Sequence, residues 1–358
     1  MRNIAVLALS LLAVVGISSA DAEVLNSDQK MVLVHNVGGS ISPKSVLASD
    51  TGLVSAHNMM YRHSVTLYDA KSAELIVTIP DSVNLSDYGY KNYSGIYKGA
   101  PVEGAFSPDG KYLYYTNYAM YGKGFKKEGH DTCSPASGYD TSFLSRVNLE
   151  SKKIDAVYPV GSVPKVVKVT PDNKYILVSN WCSYTVTVIS IESGKTVKSI
   201  KIGRYPRGIA ITQDSQYAYV AEMGGSNIHR INLNDFTKTL IPVGSNPRAI
   251  VLSPDESKLY VTMNLSGKVQ AWDLLNNKTI KSVKTGQAAR SLDISSDGSA
   301  LFVVNFNSDT VSKVRASDMK VLQTIKVCNE PIGVTYDSST NRTWVACYGG
   351  SLKVFENE

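Results

Sequence analysis

The sequence predicts an all-β fold, a closed ring of seven four-stranded blades forming a β-propeller. Three observations carry that expectation. A short phrase returns every 41 or 42 residues, β-rich runs follow it at fixed offsets, and the last unit is one strand short.

The phrase reads KIGRYPRGI at 201–209, PVGSNPRAI at 242–250 and KTGQAARSL at 284–292. Its glycine recurs at Gly161, Gly203, Gly244 and Gly286, and one further step of 42 lands on Cys328. Three residues later stand Pro164, Pro206, Pro247, Ala289 and Pro331. Next comes a turn such as TPDN or SPDE, whose Asp with Asn, Gly or Ser is hairpin chemistry. Runs such as YILVSN, TVTVISI and KTVKSIKIG then supply the second, third and fourth strands.

Two earlier units keep this register but are longer. Pro43 to Pro101 is 58 residues and Pro101 to Pro164 is 63, so insertions are expected at about 81–100 and 119–142. The seventh unit stops after SLKVFE, and the run KMVLVHNVGGSISP near the start can supply its missing strand. Pairing the two ends closes the ring and removes free sheet edges.

The first twenty residues, with Arg2, an apolar stretch from Ile4 to Ile17 and a small-residue end, have the pattern of a cleaved export signal. Cleavage is expected after Ala20 or Ala22, leaving a single propeller domain over 23–358 with no membrane span, in the periplasm or secreted. Hydrophobic residues at 43 % and charged ones at 19 % exclude a disordered chain. Without Arg2 the chain has 36 basic and 31 acidic residues, a net of +5 with no block of like charge, which gives no warrant for nucleic-acid binding.

These repeats resemble the YVTN family, whose tandem units carry V-G-x-x-P, S-P-D-G and Y-V-T-N patterns. Here these are PVGSNP, SPDG and YVTMN, with YYTN and LVSN as variants. The resemblance covers nearly the whole mature chain and implies the propeller. It implies little about activity, because the family is extracytoplasmic and biochemically diverse, with lactonase-like enzymes among its relatives.

In the propeller register, the residue after each repeat proline rings the upper mouth of the central channel. Those residues are Lys44, Val102, Lys165, Arg207, Arg248, Arg290 and Ile332, five of them basic. Second strands end at the same mouth, at Asn117, Asn180, Glu222, Met263, Asn305 and Cys347, with Tyr118 and Trp181 beside them. The expected site is a basic throat with Asn117, Asn180 and Asn305 donating hydrogen bonds and an aromatic lip. Both insertions are expected on that face, bringing Tyr88, Tyr90, Tyr93, Tyr97 and His130 to the lip.

The same register puts Cys328 and Cys347 together on the upper face, and Cys133 beside Cys182, out of three possible pairings. No C-x-x-C or C-x-x-C-H supports a redox motif or covalent haem, and no cofactor is expected. Glu103, Glu222 and the asparagines resemble the divalent-cation sites of gluconolactonase-like propellers, but arginines at the same mouth would repel the ion. No G-x-S-x-G elbow is present. The leading expectation is therefore a noncatalytic, monomeric propeller taking an anionic or sugar-like ligand, or an envelope protein. The alternatives are a lactonase-like hydrolase using Glu103 or Glu222 as base, and a protein-interaction scaffold.

Overall fold

A computed structural model describes residues 25–358; the export signal expected over 1–20, with its cleavage sites, lies outside the described residues. The chain forms seven antiparallel sheets, one per blade. The innermost strands are β2 (Pro43–Ala48), β7 (Tyr97–Phe106), β11 (Pro164–Val169), β15 (Pro206–Ile211), β19 (Pro247–Leu252), β23 (Ala289–Ile294) and β27 (Pro331–Asp337). The seventh sheet runs outward from β27 through β28 (Arg342–Cys347) and β29 (Ser351–Asn357) to β1 (Met31–Val37). The N-terminal strand thus closes the ring, with Met31 opposite Asn357 and Val37 opposite Leu352.

Burial follows the layers. The second strand of blade 3, Tyr175–Asn180, is buried at five of six positions, because neighbouring blades cover both its faces. The outer strand β14 (Thr196–Lys201) buries only Ile200. Lysines along such outer strands, Lys198 and Lys201 here and Lys278, Lys281 and Lys284 on β22 (Lys278–Lys284), keep an exposed edge from pairing with another chain. The core is divided into clusters between adjacent blades. Leu177, Val186, Val188 and Ile200 of blade 3 meet Ile209, Ala218, Val220 and Ile231 of blade 4. Each such side chain contributes about 1.5–3 kcal/mol on full burial.

The entry to each inner strand repeats a backbone device. Val163, Tyr205, Asn246, Ala288 and Glu330, each just before the repeat Pro or Ala, are left-handed with φ between 53° and 59°. The ladder then slips at the next residue, between Pro164 and Val167, Pro206 and Ile209, Pro247 and Ile250, and Ala289 and Ser291. Lys165, Arg207, Arg248 and Arg290 therefore sit on bulges, the irregularity that re-aims a side chain out of the sheet plane. Left-handed non-glycine residues cost on the order of 1–3 kcal/mol each, so the fold supports this entry at a price repeated in five blades.

The two insertions part company. Residues 81–96 add a short fifth strand, β6 (Ser82–Val83), to blade 2. They then wrap outward: Tyr88 and Tyr90 donate to the carbonyls of Ile154 and Val157 on the outer strand β10 (Lys153–Val160). Tyr93 and Tyr97 pack with Phe125 and Phe143 in a satellite core. These four tyrosines cover the flank of blade 2 rather than the lip, because a mutual aromatic cluster buries more surface than a ring of rims facing water. The second insertion does reach the mouth, fastened by the disulfide Cys133–Cys182. The other disulfide is Cys328–Cys347, so both pairings read from the register occur.

Candidate functional site

The five bulge cations converge. Lys44, Lys165, Arg207, Arg248 and Arg290, from five different blades, line one upper cavity of about 330 Å³. Trp181, Met223 and Phe306 form apolar parts of its wall. Arg207, Arg248 and Arg290 also line the narrow throat beneath, about 130 Å³, together with Glu103.

Two of the five cations have a carboxylate partner. Arg207 donates to Glu103 at 3.1 Å, and Lys165 lies 3.3 Å from Asp131. Among the described residues, Lys44, Arg248 and Arg290 pair with none. They rest on soft or aromatic groups instead. Lys44 Nζ is 4.9 Å from the Tyr348 ring centre, Arg290 lies 4.0 Å over Phe306, and Arg248 meets the Met223 sulfur at 3.4 Å. The Arg290 Nε is buried without a hydrogen-bond partner. Five basic groups meet two carboxylates, Asp131 in this cavity and Glu103 in the throat beneath, an excess of three basic groups.

Burial, and after it this crowding of like charge, shows in the proton affinities. Burial, then Arg290, Arg207 and Arg248, lowers the Lys44 ammonium to about 7 despite Asp131. Burial and Arg207 hold Lys165 well below the ordinary lysine value, with Asp131 pulling the other way. Burial and its arginine neighbours disfavour the charge of Arg248, and the same causes bring Arg290 down to about 10. Burial pushes the Asp131 carboxyl up, but Lys165, Lys44 and Arg207 outweigh it and hold the acid below its usual range.

Tyr118 and Trp181 stand beside Lys165 at the mouth, each with a second duty. Lys165 Nζ sits 4.3 Å from the Tyr118 ring centre and 5.4 Å from that of Trp181. Tyr118 donates to the Gly129 carbonyl and Trp181 Nε1 to that of Asp131, so both hold the second insertion over the mouth. Trp181 also stacks on Tyr205, ring centres 4.3 Å apart.

The asparagines differ from expectation. Asn117, Asn180 and Asn305 are fully buried and turn into their own blades, away from the cavity. Asn180 accepts from the Gly161 N–H and donates to the hydroxyls of Thr185 and Thr187. Asn305 repeats this with Thr310 and Ser312 and accepts from the Thr285 hydroxyl. Asn117 donates to Ser145. In blades 3 and 6 the amide satisfies a loop and a strand end that would otherwise bury unpaired polar groups, whereas the Asn117 Oδ1 is buried without a partner.

A Cβ on Gly161 or Gly286 would come within 2.8 Å of the Asn180 or Asn305 side chain, so the loop can approach this closely only through glycine. In blade 4 Glu222 takes the place of the amide, accepting from the Arg204 N–H and pairing with His229 at 3.2 Å. In blade 7 the same two positions are Cys328 and Cys347, and a disulfide replaces the hydrogen bond. Glu222 is thus engaged within its blade, while Glu103 lines the throat and accepts from Arg207. Among the described residues no cluster of three or more His, Cys, Asp or Glu side chains is arranged to hold a metal ion. Asp131 is the site residue that sequence reading passed over. Its one signal is its place two residues before the stapled Cys133.

Comparisons with known proteins agree with this architecture. A family model described as a YNCE-like β-propeller matches residues 124–218. Antigen Lp49 of Leptospira interrogans serogroup Icterohaemorrhagiae serovar copenhageni (strain Fiocruz L1-130) is 29 % identical over 152 residues, covering 40 % of this chain and 33 % of that protein. The match thus spans about a third of the length of that relative. A chain of Kuenenia stuttgartiensis Hydrazine Synthase superposes with a TM-score of 0.69 at 17 % identity, covering 89 % of this chain and 96 % of the other. At that identity the likeness is one of fold.

Proposed function

Taking the chain as a member of the YVTN-like β-propellers, we propose that it binds a small anion in the cavity at its upper mouth, as a noncatalytic protein of the cell exterior or periplasm. One observation supports the reading above the rest: five blades deliver a cation to one cavity, Lys165, Arg207 and Arg248 buried and Lys44 and Arg290 partly so, while Glu103 and Asp131 pair with only two of them. Removing a charge from water without a partner is costly, so the buried Arg248 beside the partly buried Lys44 and Arg290 implies a partner from outside. The half of the cavity formed by Lys44, Arg248 and Arg290 is where its charge belongs. A sugar without charge is a poorer fit, because the amides that would have bound its hydroxyls are engaged inside the blades. The two disulfides support an oxidising compartment.

The test is thermal unfolding against phosphate, di- and tricarboxylates, sugar acids, lactones and divalent cations. A ligand that binds only the folded state stabilises it by about 2.7 kcal/mol at a hundred times its Kd. Multivalent anions are expected to raise the midpoint, and Arg248→Met/Arg290→Met to abolish the rise. A flat response to every anion would refute the reading and make the cations architectural.

A further inference from the structure

We infer that the ligand carries an aromatic ring beside its negative charge, and that the ring lies in a neighbouring cavity walled by Met59, Met60, Tyr118, Tyr121 and Tyr139. This rests on the anion-binding reading above and adds the ligand's chemical class to it.

The second cavity, about 520 Å³, lies between blade 1 and the second insertion. It adjoins the basic one through a wall a single ring thick. Tyr118 lines it while packing against Lys165 of the basic cavity at 4.3 Å. The insertion continues the wall: Glu128, Gly129 and His130 face the second cavity and Asp131 the first. Tyr118 donates to Gly129 at 3.2 Å and Trp181 to Asp131 at 2.9 Å, which fixes that partition from both sides. Both volumes fall within the roughly 300–1,000 Å³ usual for small-molecule sites.

The lining chemistry differs sharply across the wall. No lysine or arginine lines the second cavity; besides the phenols its polar side chains are Glu128 and His130, and the Glu128 carboxylate disfavours a second anionic group there. Two thioethers and three phenol rings suit a flat aromatic body, through sulfur–ring and ring–ring contacts. Among the described residues no ring–ring contact joins Tyr118, Tyr121 and Tyr139 to one another, whereas on the flank of blade 2 Tyr93 meets Tyr97 at 5.8 Å and Phe125 at 5.2 Å; Tyr121 is 36 % exposed. Tyr121 is held in place by donating to Glu128 at 2.7 Å. An apolar wall kept open beside a charged one describes a site for a molecule with both characters.

Isothermal titration of the folded, disulfide-bonded chain with inorganic phosphate and with 1-naphthyl phosphate tests this. The naphthyl ester is expected to bind at least about tenfold more tightly, the worth of burying one aromatic ring. Met60→Ser/Tyr121→Ala should remove that gain while phosphate affinity, which also reports intact folding, stays as it was. If phosphate binds but the ring adds nothing, or the gain survives in the double variant, the inference falls and the anion site stands. If neither compound binds, the anion site falls and the inference with it.

Discussion

At the lower mouth of the channel five blades repeat a Ser/Thr-x-Asp turn. The hydroxyls of Ser107, Thr170, Thr212, Ser253 and Ser295 donate to Asp109, Asp172, Asp214, Asp255 and Asp297 at 2.5–2.6 Å. A backbone N–H two residues on adds a second bond in each. The Ser253 hydroxyl, then Ser257, brings the Asp255 carboxyl down to about 2. At the upper mouth two of these units present Arg248 and Arg290, and blade 1 presents Lys44, with no comparable partner within the unit. A repeat that copies a charge for structural reasons copies its partner with it, as the Asp turns and the Asn–hydroxyl sets do. A charge copied alone answers to something outside the repeat.

The largest test concerns an upper-mouth contact that does carry its partner. Cys328→Ser/Cys347→Ser is expected to cost about 3 kcal/mol in urea unfolding, the value for a disulfide closing a loop of this length. Cys328→Gly/Cys347→Asn, which restores the pair used by blades 3 and 6, should recover about 1 kcal/mol of that. Equal loss in both variants would break the equivalence between the covalent and hydrogen-bonded versions.

The next test separates partnered from unpartnered cations. Glu103→Gln leaves Arg207 buried without its carboxylate and should destabilise by about 2–3 kcal/mol, toward the low end for a broken buried pair because Glu103 is a quarter exposed. Arg248→Met should instead stabilise the free protein by about 1–2 kcal/mol while weakening anion binding. A loss of stability in Arg248→Met would show that the ring holds the blades together, and the contrast between the mouths would collapse.

The smallest effect is a slope with pH. Lys44 faces Arg290, Arg207, Arg248, Asp131 and the Tyr348 ring, and its ammonium is lowered from 10.5 to about 7. Between those values the unfolded chain holds a proton that the folded one sheds, so this group makes stability rise with pH, by at most about 1.4 kcal/mol per unit. A bound anion restores the proton. Anion affinity should therefore fall as pH climbs above 7, with proton uptake visible as a buffer-dependent heat. Lys44→Met should remove both the slope and the uptake.

Much of this was legible in the sequence, for a physical reason. Blade number, ring closure, both disulfides and the converging cations all follow from spacing, since a repeat of fixed length puts equal positions at equal heights. The asparagines misled because register gives height and not direction. Asn180 and Asn305 stand at the mouth and turn inward, and the signal was the hydroxyl pair five and seven residues on, matched by Glu222 with His229. Asp131 and the flank tyrosines belong to insertions, where no repeat constrains the path.

Ring closure also sets an order of events in time. In an open solenoid each repeat can add to the last as it forms. Here β29 has its outer neighbour only when β1, from the other end of the chain, arrives beside it. Until then the seventh sheet shows a bare edge to any other strand nearby, and the contacts that seal it are the most distant along the chain, the kind that form slowly. The step that makes the molecule whole is the one during which two copies could most easily exchange their first strands.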